Sequence, residues 1–446
     1  MAHVVRRGQV TGPRRLGLLP AEASTFVGRA SELAAIAALL DTARMVTVVG
    51  PAGVGKTRVS LRAATAAADQ FPDGVWLADL AEVSEPGLLA LTVAAALGLP
   101  DQPGGTARGP LVHGAVLGHL RGRKLLLILD TCEHLVDACA AFADTVLRAA
   151  PEVTLLATSR QPLDVPGEHA FPLLPLPAAA AVELFAQRAA AVVPEFTVTA
   201  ENRNVVAAVC QRLDRLPLAL EFAAVRLRAL PLAELARQLE SGIRTLTVSR
   251  RGTSPRHQTL RAAVAWSHEL CTPAERTLWE RLSVFADTFD VGGAEQVCAD
   301  DRLPREQVVH ALVGLVDKSV VLRDGTDPAR YRLLAGMREF GADMLADSGE
   351  RERFRGQLAV RSLAVARDFD EWYRGGARPG GGEGDPGGGA GEHGTGGQAA
   401  ALRALRREYA NIREALGYAL NSGDPADAAD LTRWRLGADL AVRLSC

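Results

Sequence analysis

From Phe26 to Phe171 the chain alternates compact apolar runs with stretches of helical period. Met45–Val49 (MVTVV), Gly74–Leu80 (GVWLADL), Lys124–Asp130 (KLLLILD) and Val153–Thr158 (VTLLAT) are rich in aliphatic and β-branched residues. Runs of this kind predict strands buried on both faces. Between them, Ser31–Leu40, the stretch from Arg58 onward and Pro86–Leu97 have helical spacing, while Leu99–Pro110 is a Pro/Gly-rich loop. Strands alternating with helices predict a parallel α/β core over residues 24–172.

From Phe171 the pattern changes. Pro172, Pro175 and Pro177 mark an extended boundary. Helices are predicted over Ala178–Val192, Asn202–Leu213, Pro217–Leu230 and Pro231–Glu240, giving a helical domain at 173–250. Residues 251–348 combine helices at Gln258–Glu269, Pro273–Phe285 and Pro304–Val316 with two short strands, Ser319–Leu322 and Arg330–Leu334, around an Asp324-Gly325 turn. Helices followed by such a hairpin predict a winged-helix domain. A charged helix at 349–374 and a low-complexity glycine linker at 375–398 follow. As a flexible coil the linker spans about 25–30 Å. The remaining residues, 399–446, hold two amphipathic helices, Ala399–Leu420 and Pro425–Leu444, which look like the start of a helical-repeat array. Such arrays need about three repeats to stand alone, so Cys446 reads as an early stop in a longer design. Residues 1–23, broken by Gly12-Pro13 and Pro20, read as a flexible tail.

The chemistry concentrates just after the first strand. Gly50-Pro51-Ala52-Gly53-Val54-Gly55-Lys56-Thr57 is a full G-x-x-x-x-G-K-[ST] phosphate loop, set between an apolar run and an Ala-rich helix. Its glycines let the backbone turn tightly and aim N–H groups at phosphate oxygens. The following helix adds its positive end. Lys56 is placed to reach the β- and γ-phosphates, and the Thr57 hydroxyl to ligate Mg²⁺.

Other candidates are defined by their position relative to this loop. Asp130 closes an apolar strand, the Walker B pattern, where a carboxylate can hold Mg²⁺. Many such ATPases carry an acid at the next position to polarise the attacking water; here it is Thr131, and Glu133 is the nearest substitute. Two readings of Glu133 stay open: it faces the nucleotide, or it caps the next helix. Arg160, at the end of the fourth strand, is a candidate contact to a γ-phosphate. Val27, Gly28 and Arg29, upstream of the loop, are candidates to wrap the adenine, with Arg58 on the loop helix. Pro217, suited to a first helical position, is a candidate to pack against it.

Composition narrows the rest. A chain of 446 residues with 48% hydrophobic and 23% charged residues is an ordinary soluble protein of about three domains. Its formal net charge of −2 gives no general pull toward nucleic acid or anionic lipid. No apolar run approaches the ~20 residues of a membrane helix. The apolar core at Leu16–Leu19 is too short for a signal peptide. The six cysteines show no C-x-x-C pair and no metal-ligand spacing, so a reducing, cytoplasmic setting is expected. The helix predicted from Pro304 to Asp317 is nearly neutral, with Arg305 beside Glu306 and Asp317 beside Lys318. Direct DNA contact through it is disfavoured, and a docking role is expected.

Taken together, Phe26-Val27-Gly28-Arg29, the phosphate loop, Leu129-Asp130-Thr131-Cys132-Glu133-His134-Leu135, Thr158-Ser159-Arg160 and Leu216-Pro217-Leu218-Ala219 resemble STAND ATPases of the NB-ARC type. The likeness is to those in large LuxR-like and antibiotic-pathway regulators of bacteria. It covers residues 24–345, and Glu408–Arg413 resembles the start of that family's tetratricopeptide region. The resemblance implies an ATP/ADP switch: a closed ADP-bound monomer, and an ATP-bound form that opens and self-associates. A protein partner would be met through the C-terminal repeats, with transcriptional regulation downstream. Thr131 departs from the Asn or acid of many relatives, and Leu333-Leu334-Ala335 stands where eukaryotic relatives carry Met-His-Asp. Direct DNA binding through the winged helix and a turnover ATPase are the competing readings. A population reversal from 1:99 to 99:1 takes about 5.5 kcal/mol. Two or three charge-assisted γ-phosphate contacts at ~1.5–3 kcal/mol each supply that.

Overall fold

A computed structural model describes residues 19–22, 24–99, 110–241, 260–324, 329–376 and 407–419. The expected loop at Leu99–Pro110, the linker at 375–398 and the helix at Pro425–Leu444 lie wholly or largely outside these residues. The chain divides into two compact units, one running to Trp266 with Asp317–Ser319, the other comprising Ser267–Val316 and the residues from Val320 on.

In the first unit, β1 (Met45–Val49), β2 (Val75–Asp79), β3 (Leu126–Asp130), β4 (Thr154–Ser159) and β5 (Glu168–Pro172) form one sheet in the order β2-β3-β4-β1-β5. Every pairing is parallel. β3 and β4 are buried at every position, their aliphatic centres packed on both faces and Asp130, Thr158 and Ser159 buried at their carboxyl ends. Helices α1 (Ala30–Thr42), α2 (Lys56–Ala66), α3 (Leu89–Ala96), α4 (Pro110–Leu120) and α5 (Val136–Ala149) connect and cover the strands. α5 shows why: Cys139, Phe142, Ala143 and Val146 recur at helical spacing and are the residues it buries against the sheet.

β5 corrects the sequence reading, which placed only a domain boundary at Phe171 and Pro172. Glu168–Pro172 is a fifth strand, in register with β1 from Met45↔Glu168 to Val49↔Pro172. It sits at the sheet edge and none of its residues is buried, so it carries no apolar run and tolerates a terminal proline.

The same unit continues through α6 (Ala178–Ala190), α7 (Arg203–Arg212), α8 (Pro217–Arg226) and α9 (Leu232–Ser241). Pro217 takes the first turn of α8, where its missing N–H costs nothing. Ahead of it, Asp214 and Arg215 are both left-handed (φ 50° and 55°), and the Arg215 carbonyl accepts from the Leu176 N–H at 3.1 Å. That turn brings the α8 N-terminus onto the phosphate loop, where the Leu218 N–H donates to the Gly53 carbonyl at 3.2 Å.

α10 (Leu260–Glu269) begins in the first unit and ends in the second. The second unit holds α11 (Pro273–Leu282), α12 (Val291–Cys298), α13 (Arg305–Asp317), an antiparallel hairpin of β6 (Val321–Asp324) and β7 (Arg330–Leu333), α14 (Ala335–Asp347), α15 (Arg351–Gly376) and α16 (residues 407–419). α11 opens with a capping box between Thr272 and Glu275. The sequence reading omitted α12, whose Gly292-Gly293 pair lowers helix propensity but whose Asp290 caps it. It also omitted α14, which packs on α11 where Gly341 leaves room for the Trp279 ring. The predicted strand at Ser319 starts later, at Val321, because Ser319 is left-handed (φ 55°). Gly375 and Gly376, expected in the linker, end α15. Among the described residues no helix is long and apolar enough to cross a membrane.

Candidate functional site

The carboxyl ends of β1, β3 and β4 lie side by side, and the phosphate loop leaves the first of them. Gly50 is forced: a Cβ there would sit 2.6 Å from the Leu173 carbonyl oxygen. Gly53 and Gly55 turn the chain with φ of 76° and 98°, where side chains are strained. α2 then starts at Lys56, so the first-turn N–H groups of Lys56, Thr57 and Arg58 have no intrahelical acceptor. They form a positive end suited to an anion. Pro51, Ala52 and Val54 shape the loop between the glycines; Ala52 and Val54 are buried. The Lys56 ammonium is buried as well and donates to the carbonyls of Gly50 (2.8 Å) and Pro51 (3.3 Å). Burial pulls its pKa down to about 8, with Arg160 adding to the shift and Glu133 and Asp130 opposing it.

Across the loop, the Thr57 hydroxyl donates to both Asp130 oxygens, at 2.8 and 3.0 Å. The Thr158 hydroxyl donates to Asp130 Oδ1 at 2.6 Å and accepts from the Thr131 N–H at 2.9 Å. Burial pushes the Asp130 carboxyl up, and the two threonine hydroxyls act against it. A hydroxyl and a carboxylate held together at a phosphate loop are hard oxygen donors of the kind Mg²⁺ takes. Thr131 itself is left-handed (φ 65°), an uncommon state for a β-branched residue and one typical of functional sites. In the sequence Thr158 stands only as part of the Thr158-Ser159-Arg160 motif, with no role of its own, because only the β3–β4 pairing places it against Asp130.

Glu133 does not cap α5, whose N-cap is Leu135 without a side-chain bond. Its Oε1 instead accepts from Arg160 Nε at 3.1 Å, with the two side chains 6% and 4% exposed. Its other oxygen, Oε2, is buried with no hydrogen-bond partner among the described residues. Burial alone would raise this carboxyl; the Lys56 and Arg160 charges outweigh that and hold it below its ordinary value. Arg160 also donates to the Ala263 carbonyl at 3.4 Å and lies 4.6 Å from the centre of the Trp266 ring. His134 Nε2 is 2.7 Å from the Val83 carbonyl, so that nitrogen carries the proton, and its ring sits 5.6 Å from Trp266.

Beside the loop is a pocket, partly open to solvent, lined by Val27, Arg29, Val54, Arg58, Leu176 and Pro217 among others. The segment before α1 is fixed there by Arg58, which donates to the Ser24 carbonyl at 2.8 Å, and by Arg188, which donates to the Thr25 carbonyl at 2.8 Å. Gly28 and Arg29 are both left-handed (φ 70° and 66°), and a Cβ at Gly28 would lie 3.0 Å from Ala180 Cβ. Arg29 is spoken for: it donates to Glu32 at 2.6 Å and to the Val54 carbonyl at 3.4 Å. The fold therefore brings the candidates from five separate stretches of sequence to the carboxyl ends of the central strands and one adjoining pocket.

Residues 39–159 match the AAA domain family. The Putative HTH-type transcriptional regulator Rv0890c of Mycobacterium tuberculosis (strain ATCC 25618 / H37Rv) is 43% identical over 315 residues, or 70% of this chain. This chain spans only about a third (35%) of that relative's length. Uncharacterized protein Rv0894 of the same organism is 39% identical over 349 residues, covering 77% of this chain and 88% of its own length. Among solved structures, the Walker-type ATPase PABY2304 of Pyrococcus abyssi aligns over 71% of this chain and 95% of its own with a TM-score of 0.48 and 11% identity, too loose a likeness to carry an argument. On the extent of its match to Rv0894, the chain belongs to the same family as that protein, and its core is an AAA-type P-loop ATPase domain.

Proposed function

We propose that this chain is an ATP/ADP-binding signalling switch of the NB-ARC type, acting in transcriptional regulation. The observation that carries the reading is the contact of Thr57 with Asp130 at 2.8 Å, formed where the glycine loop, α2 and β3 meet. In this reading Lys56 and the α2 N-terminus hold the phosphates, and Thr57 and Asp130 hold Mg²⁺. The metal, when bound, supplies neutralising charge to the phosphate oxygens. Adenine occupies the cavity between the Val27–Arg29 segment and Pro217, whose walls are mostly apolar. Arg160 answers to the terminal phosphate, and Glu133, with one oxygen lacking a partner among the described residues, is the base for a slow hydrolysis of ATP to ADP.

The remaining modules follow from this. The helices and hairpin from α11 to α14 act as a winged-helix module that docks protein, not DNA. Support comes from α13, whose exposed positions include Val309 and Val313 (37% and 54% exposed), while Arg305 is paired with Glu295 at 2.8 Å. A DNA reader needs a basic exposed face. α16 begins a tetratricopeptide-like region for a protein partner. The regulator name of the longer relatives is the basis for placing the switch in transcription.

The test is to denature the purified protein, identify the released nucleotide, and compare size-exclusion profiles with ADP and a non-hydrolysable ATP analogue. Bound ADP and a larger species with the analogue are expected. Absence of nucleotide, and no binding in calorimetry, defeats the reading. Sequence-selective gel shifts at physiological salt would move it to a DNA-binding factor.

A further inference from the structure

We propose that Trp266, with Glu133, sets the preference of the site for a diphosphate over a triphosphate by holding Arg160 in a resting clamp. This rests on the reading of Arg160 as the group that meets a terminal phosphate. Arg160 is 3% exposed and is held from two sides. On one, its Nε donates to Glu133 Oε1 at 3.1 Å; on the other, its guanidinium lies over the Trp266 indole at 4.6 Å and donates to the Ala263 carbonyl at 3.4 Å. Both holds exploit the planar guanidinium: its edge meets the carboxylate and its face meets the ring.

A third phosphate would compete with these holds. A γ-phosphate that turns the guanidinium toward the loop draws it from the carboxylate and off the indole face. A diphosphate ends one phosphate earlier and makes no such demand. The competing contacts are desolvated and therefore strong. Glu133 Oε2, buried and without a partner among the described residues, keeps further negative charge beside the guanidinium that the extra phosphate must recruit. The clamp thus weighs against ATP specifically, without touching the loop that grips both nucleotides.

Trp266 tests this better than Glu133, because its removal leaves the net charge unchanged. It is half-buried, so its replacement opens less of a void than at a fully buried site. Affinities for Mg²⁺-ADP and a Mg²⁺-bound non-hydrolysable ATP analogue are measured by calorimetry on the full chain and on Trp266→Leu, Trp266→Phe, Arg160→Ala and the Trp266→Leu/Arg160→Ala double variant. Trp266→Leu should raise triphosphate affinity relative to diphosphate by about tenfold. Trp266→Phe keeps an aromatic face and should stay near the parent ratio. In the Arg160→Ala background, Trp266→Leu should change nothing. An unchanged ratio in Trp266→Leu, alongside lost triphosphate affinity in Arg160→Ala, overturns the clamp and leaves the reading of Arg160 standing. Equal effects of Leu and Phe also overturn it, as they would mark packing alone. An unchanged ratio in Arg160→Ala removes the underlying reading and the clamp with it.

Discussion

The Thr57 hydroxyl lies 2.8 Å from Asp130 Oδ1 across 73 positions of sequence. Thr57 is in the first turn of α2 and Asp130 is the last residue of β3, so the contact measures how the loop is seated on the sheet. If the pair holds the metal, Thr57→Val and Asp130→Asn should each weaken nucleotide binding about 10- to 100-fold with Mg²⁺ present and little without it. Lys56→Ala should weaken binding in both conditions. Calorimetric titrations with Mg²⁺ and with chelator separate the two classes; equal losses under both for Thr57→Val would count against metal binding at this residue.

The loop glycines differ in what they require. Gly55 has φ of 98° with open space around it, so Gly55→Ala meets only backbone strain, about 1–2 kcal/mol. Gly53 has φ of 76° and a Cβ there would lie 2.8 Å from Leu218 Cβ, so Gly53→Ala also pushes the first turn of α8 away. Urea unfolding should find Gly53→Ala the more destabilised of the two. The reverse order would mean that α8 is not pressed on the loop.

The site was legible in the sequence wherever its chemistry is local. The phosphate loop is a contiguous string, and Asp130 follows an unbroken apolar strand, so both were placed without tertiary information. Glu133 and Arg160 were identified but not their relationship, because 27 positions separate them and only the β3–β4 pairing joins them. Trp266 was invisible as a site residue: in Ala-Val-Ala-Trp-Ser-His it reads as one more apolar helix position. The same limit applies to the fold. β5 is half-exposed and lacks the apolar run that identified its neighbours, and α12 starts with Gly292-Gly293, which argues against a helix until Asp290 is seen to cap it.

In the second unit, Asp300 accepts from both terminal nitrogens of Arg281 at 2.8 Å. Burial would raise the Asp300 carboxyl, but the Arg281 hydrogen bonds and charge and the backbone N–H groups of Leu303 and Arg302 outweigh it and bring its pKa to about 2 from 3.8. A carboxyl depressed in the folded state stabilises above its unfolded pKa, and that stability fades as pH falls from about 4 toward about 2. Asp300→Asn should therefore lower the thermal midpoint near neutral pH, with the gap to the parent narrowing in acid. A gap that stays constant with pH would show that the lost hydrogen bonds, not the charge, carry the effect.

Glu408 offers the strongest stability test of the C-terminal helix. It is 6% exposed and its two oxygens are shared among Arg330 (2.6 Å), Arg361 (3.2 Å) and the Asn411 amide (3.1 Å). Asn411, fully buried, completes the joint by accepting from the Ala286 N–H at 3.0 Å and donating to the Thr288 carbonyl at 2.8 Å. One turn on, Ile412, Ala415, Leu416 and Ala419 pack against Leu363 of α15. Charge and apolar surface thus fix the same helix on adjacent faces. Glu408→Leu leaves Arg330 and Arg361 with the more exposed Asp290 carboxylate, at 3.6 and 3.3 Å, so the cost should reach toward, but not exceed, the about 3–5 kcal/mol of removing one partner of a buried pair. Arg330→Leu alone leaves Glu408 with Arg361, so it should cost less. Combining Glu408→Leu with Arg330→Leu should cost less than the sum of the two single changes, because the second removes a charge that the first left paired more weakly, with Asp290. Urea unfolding followed by far-UV dichroism reads all three. A loss below about 1 kcal/mol for Glu408→Leu, the range of an exposed ion pair, would mean that Asp290 or water takes over these arginines and that Glu408 does not hold the helix.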